Sequence, residues 1–209
     1  MKQARFILLT AAFLVFVVAA HSQTDPTVGT LATTASTLTR GKLYVSGHEV
    51  PYVIRRLPVS SFPELPENIA AQLEKLSCMI PQTFQAHRPE NVVRGSLERA
   101  GSSDWAVLCS AEGTVTLMVF FESSPTSPIK LASEKELARL ASHDPSGVLG
   151  FAWGIDPASP SQVHDAQSGL KRNHPSKLDH DALADVFVER TVVFHFFSKN
   201  AWKVIEPGD

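Results

Sequence analysis

The chain has 209 residues, 44% of them hydrophobic and 19% charged, with 19 basic residues against 21 acidic ones for a formal charge of −2. That size fits one domain with a core of its own. The weakly acidic balance offers no general attraction to phosphate backbones, so nucleic acid is not an expected partner.

At the N-terminus, Lys2 and Arg5 precede an apolar run from Phe6 to Ala20 that ends in small residues. This is the pattern of a secretory signal peptide over residues 1–22, and the run is shorter than the roughly 20 apolar residues that cross a bilayer. Cleavage would remove two bases and leave 17 against 21 acids, a formal charge of −4. The expected location is secreted or periplasmic, with no membrane span in the mature protein. Residues 23–41, rich in Thr, Ala and Ser without an apolar period, read as a flexible leader. Residues 42–209 read as a single α+β domain.

Within that domain, Leu43 to Val45 and Tyr52 to Leu57 are β-rich runs around a glycine break, the signal of a hairpin or an irregular edge. Pro66 suits the first turn of a helix, and Ile69, Leu73 and Leu76 follow at helical spacing. Cys78 ends that segment, and Pro81 blocks its continuation. The stretch from Asn91 to Phe121 predicts three strands with turns at Ala100–Ser103 and Ala111–Gly113, so Val107 and Cys109 share a strand face. A second helix is expected at "SEKELARLASHDPSG", where Ser133 and Glu136 have capping-box spacing and Leu137 and Leu140 point inward.

"GVLGFAWGI" reads as one glycine-rich strand, and Ser159, Pro160 and Gln162 open a third short helix. "LDHDALADVFVERTVVFHFFSKNAWKVIE" reads as a helical turn followed by strands, with Lys199 and Asn200 as the last turn. Strands joined by short turns give the expected fold class: α+β, a mostly antiparallel sheet with three or four short helices packed on it.

Chemistry-bearing residues are few. Cys78 and Cys109 are the only cysteines, and in an oxidising compartment they predict a disulfide, the alternatives being two separate thiols or a catalytic Cys109. The densest cluster of ligand-type side chains is "NHPSKLDHDALAD", with His174, Asp179, His180, Asp181 and Asp185. Its spacing matches no metal template, so capping of a helix N-terminus is the expected role, with His180, Asp181 and Asp185 kept as possible ligand-binding residues. His195, among aromatics, reads as a buried strand histidine. Trp105 and Trp202 read as core, whereas Trp153, beside Gly154, reads as partly exposed and is the better binding candidate. No nucleophile elbow, phosphate loop or dinucleotide motif is present, so no cofactor and no metal is expected.

In "GSSDWAVLCSAEGTVTLMVFF", "LPVSSFPELP", "CMIPQTFQ", "PENVVRGS" and "LDHDALAD" the chain resembles small exported bacterial proteins to which no activity is assigned. The resemblance spans most of residues 50 to 209 and implies an envelope or secreted protein, with no catalytic residue to carry over. The expected function is a non-enzymatic exported domain that binds a protein, peptide or envelope component. The alternative is a small hydrolase using Cys109 with a histidine, or a metal at the Asp179–Asp185 cluster. A third possibility is a structural domain within a larger envelope complex.

Overall fold

The alternation of side chains along two central strands sets the architecture. In a computed structural model that describes residues 36–142, 146–167 and 177–206, Trp105, Val107 and Cys109 point to one side of their strand, and Ala106 and Leu108 to the other. On the next strand Val115, Leu117 and Val119 join Ala106 and Leu108, while Met118 and Phe120 join Trp105. A strand that is apolar on both faces is buried on both. The molecule accordingly stacks two sheets over a shared core, with one helix covering the outer face of each.

The described residues contain thirteen strands, two α-helices and two 3-10 turns, all within one compact unit, Thr33–Asp209. The first sheet is built on β2 (His48–Pro58), β3 (Met79–Gln82), β5 (Asp104–Ala111), β6 (Thr114–Phe120) and β7 (Ile129–Lys135). Its order is β7-β6-β5-β3-β2-β9-β8, with β8 at Leu140–Ser142 and β9 at Leu149–Phe151. To this are added β1 (Thr37–Val45) along β2 and β4 (Val92–Gly95) along β5. The second sheet is a meander of β10 (Trp153–Ala158), β11 (Ala182–Phe187), β12 (Thr191–Ser198) and β13 (Ala201–Ile205). All pairings are antiparallel except β2 with β9.

The inner core holds Ile54, Leu108, Leu117 and Val119 from the first sheet against Trp153, Ile155 and Leu183 from the second. Helix α1 (Glu67–Lys75) covers the first sheet with Ile69 and Leu73, and α2 (Pro160–Gln167) covers the second with Val163. Three hairpins turn on residue pairs that both have positive φ: Ser46–Gly47, Glu112–Gly113 and Lys199–Asn200. That backbone matches the right-handed twist of the flanking strands. Gly41 is required for another reason. It lies opposite Tyr52 in the β1–β2 register, and a Cβ there would sit 2.5 Å from the tyrosine Oη.

The structure corrects the expected fold class in several places. It is mostly β, in two sheets, with two helices instead of three or four. Residues 133–142 of the predicted helix are instead the end of β7, a 3-10 turn over Glu136–Arg139 and β8. Leu137, expected inward, is 43% exposed, and Glu136 is 3% exposed. At these two positions the burial is exchanged because a carboxylate with a guanidinium partner takes the inward place, while Leu140 is buried as expected. The helical turn before β11 is absent: residues 179–181 are irregular and Ala182 already begins the strand. The single glycine-rich strand is two strands, β9 and β10, in different sheets, separated only by Ala152. β1 begins at Thr37, so the leader read as 23–41 gives its last five residues to a strand.

The helix at α1, the Lys199–Asn200 turn and the helix opening at Pro160 stand as read. Ser159 and Gln162 form a reciprocal capping box: the Ser159 amide donates to Gln162 Oε1 at 2.8 Å and the Gln162 amide to Ser159 Oγ at 3.3 Å. The proposed signal segment 1–22, residues 23–35, Pro145 and His174 lie outside the described residues. No helix among the described residues is long and apolar enough to cross a membrane.

Candidate functional site

Cys109 has no free thiol. It is bridged to Cys78, with the two Cα atoms 5.3 Å apart and a sequence separation of 31. Both sulfurs are buried in the layer between α1 and the first sheet. Closing a loop of that length restricts the unfolded chain by about 3–4 kcal/mol in the chain-entropy account. The bond pins the C-terminal end of α1 to the centre of the sheet.

The residues singled out around 179–185 separate into three environments. Asp185 has the inward parity of Leu183 on β11, and its two oxygens are both engaged. Oδ1 accepts the indole N–H of Trp153 at 2.7 Å, and Oδ2 lies 3.2 Å from Nε2 of His195 on β12. All three residues are buried, and Trp153, read from sequence as partly exposed, is 0% exposed. Its neighbour Gly154 opens no path to the ring, because the indole points between the sheets. Above its face lies the Arg139 guanidinium, 4.2 Å from the ring centroid. Arg139 also donates to Glu134 at 2.6 Å.

Asp181 stands apart from this group. It fastens the 96–103 connection to the second sheet: its Oδ2 accepts the Ser96 amide at 3.0 Å, and its own amide donates to the Ser96 carbonyl at 3.0 Å. The role is backbone capping as expected of such an aspartate, but of a loop and not of a helix. His180 places one ring nitrogen 2.8 Å from the Phe197 carbonyl and the other 2.7 Å from Asp179 Oδ1. The hydrogen bond from His180 holds the Asp179 carboxyl below its ordinary value. No group of three or more His, Cys, Asp or Glu side chains converges in metal-binding geometry among the described residues.

A second buried polar cluster escaped the sequence reading. Arg56 grips Glu136 with a two-pronged guanidinium–carboxylate contact, through Nε to Oε1 at 2.7 Å and through Nη2 to Oε2. Ser110 donates to Glu136 Oε1 at 2.9 Å, and Arg56 donates to Thr39 at 2.7 Å. Ser110 is a strand residue of β5. The signal available in sequence is Glu136 four positions before Leu140 in a segment with helical spacing, which does not identify a partner 80 residues away.

Two surface recesses hold chemistry that neither cluster uses. One, of about 360 Å³, is lined by Glu90, Asp156 and Glu189 with Thr83, Asn91 and Gly154. There the Asp156 carboxyl is pushed up from its ordinary value, first by loss of hydration and then by Glu90, against an opposing pull from Arg88. Glu90 accepts the Thr83 amide at 2.6 Å, and Glu189 accepts from Gln85 at 2.7 Å. The other, of about 560 Å³, runs between α1 and the β6–β7 pair, with Met118 as its floor, Leu76 on its wall and Lys75 and Lys130 at its rims. Its α1 wall, ending at Leu76, lies 42 positions before Met118 in sequence, and no local pattern announces it.

No family model, curated protein or solved structure matches this chain.

Proposed function

We propose that the chain is an exported, non-catalytic domain that binds a protein, peptide or envelope component, of the kind its sequence resembles. One observation carries this reading: the side chains best suited to catalysis are committed to internal bonds. The Cys109 sulfur is in a disulfide, and Asp185, His195 and Trp153 satisfy one another between the sheets. Such a disulfide also supports a location outside the reducing cytoplasm. The surface recesses, by contrast, are open to a partner.

A hydrolytic reading through Cys109 loses its nucleophile. What favours any hydrolytic alternative is the Glu90–Asp156 recess, where a carboxyl with raised proton affinity beside a second carboxylate is the arrangement of an acid–base pair. The test combines turnover with binding. Purified protein is offered ester, peptide and glycoside substrates, and in parallel is sedimented with isolated envelope fractions in competition with unlabelled protein. The expected result is saturable, competed co-sedimentation with no turnover. Turnover abolished by Glu90→Gln or Asp156→Asn overturns the proposal in favour of catalysis.

A further inference from the structure

The recess between α1 and β7 differs from the acidic one in its charge. Gln72, Lys75 and Leu76 form one wall on α1, Met118 of β6 the floor, and Pro128 and Lys130 the opposite wall. No carboxylate lines it. Lys75 and Lys130 stand exposed on opposite rims, and neither has an ion-pair partner among the described residues. Leu76, 46% exposed, opens toward the recess from the end of the same helix whose Leu73 is 0% exposed. Gln72 donates to the Pro125 carbonyl at 3.0 Å and so ties the 123–128 loop across α1. The volume lies in the range of small-molecule sites, about 300–1,000 Å³.

From this we infer that the groove binds a long-chain carboxylate, its acyl chain along Met118 and Leu76 and its head group between Lys75 and Lys130. The inference rests on the binding reading above and names the chemistry of the ligand. Two cations without counter-ions call for an anion, and the apolar floor calls for a chain with few polar groups. A peptide fits less well, because each residue brings a backbone donor and acceptor that must be paired. The Gln72 amide on the helix wall is already used on Pro125, Asn68 and Thr126 are the other uncharged polar side chains of the lining, and backbone groups beyond those they can pair would be desolvated at a cost. Hydrocarbon has no such requirement.

The test is calorimetric titration of the full chain with dodecanoate, octanoate and dodecanol below their aggregation concentrations. Dodecanoate is expected to bind one per chain. Octanoate should bind roughly a hundredfold more weakly, since each methylene carries about three- to fourfold in affinity when buried. Dodecanol should bind about tenfold more weakly than dodecanoate through loss of the two charge contacts. Lys75→Ala with Lys130→Ala, both exposed and therefore compatible with folding, should erase the difference between dodecanoate and dodecanol. Equal affinity for acid and alcohol in the unaltered protein, or tighter binding of an acidic dodecapeptide at the same groove, overturns the inference and leaves the binding reading standing. Turnover of p-nitrophenyl dodecanoate that the lysine substitutions abolish overturns both.

Discussion

The two polar clusters on the inner faces of the sheets solve the same problem differently. Each buries a carboxylate beside apolar core. On the first sheet, Glu136 meets a guanidinium fork and a hydroxyl, so a full charge is matched by a full charge. On the second, Asp185 meets an indole N–H and an imidazole. The 3-10 turn over Glu136–Arg139 serves both: its first residue is held by Arg56 of β2, and its last lays a guanidinium over Trp153 of β10. The comparison teaches that this short turn, and not a helix, is what ties the sheets together at that end. Charge matching makes the first cluster the more costly one to break, because a buried ion that loses its partner keeps its desolvation penalty.

The largest effect should therefore follow Glu136→Ala. Leaving Arg56 half-enclosed without its carboxylate is expected to cost about 3–5 kcal/mol, read from denaturant unfolding. A loss below that of the Asp185 substitution would reverse the ranking of the two clusters. Asp185→Ala strands the fully buried indole N–H of Trp153 without an acceptor and should cost about 1–3 kcal/mol, with a change in tryptophan emission as the local readout.

The smallest effects lie in two carboxylates of the second sheet's margin that titrate in opposite senses. Asp156 has a raised proton affinity, so its contribution is fully present below the ordinary carboxylate value of 3.8 and declines as pH rises through its folded value. Asp179 is lowered, so its contribution is present above 3.8 and is lost as pH falls through its folded value. Asp156→Asn should raise stability relative to the unaltered protein on the neutral side, and Asp179→Asn should lower it there. Melting temperature against pH for the two variants checks the signs, and curves that shift in the same direction would refute the assignment.

Legibility from sequence followed the range of the interactions. Period-two alternation around Cys109 correctly placed Val107 and Cys109 on one face, because that pattern is set by neighbours along the strand. The Ile69 and Leu73 stripe of α1 and the Ser159–Gln162 box are equally local, whereas Leu76, read with that stripe, is 46% exposed at the helix end. Two cysteines and an export-like N-terminus were enough for the bridge.

What failed depended on distant partners. "SEKELARL" carries helical spacing, yet Glu136 is drawn inward by Arg56 from 80 residues earlier, and Leu137 is turned out. Trp153 reads as partly exposed because its neighbour is glycine, although its acceptor is 32 residues away on another strand. Asp181 and Asp185 were grouped because they are near in sequence. The structure sends the first to the Ser96 loop and the second between the sheets.

Ala152, the lone residue between β9 and β10, donates its amide to the Arg139 carbonyl and accepts from the Val188 amide, both at 2.8 Å. A crossing this short leaves no slack: neither layer can peel away without dragging the strand of the other that adjoins Ala152 with it. The molecule should therefore melt in a single cooperative step. Cutting the chain at this point would yield halves with their greasy inner faces laid bare, not two smaller proteins.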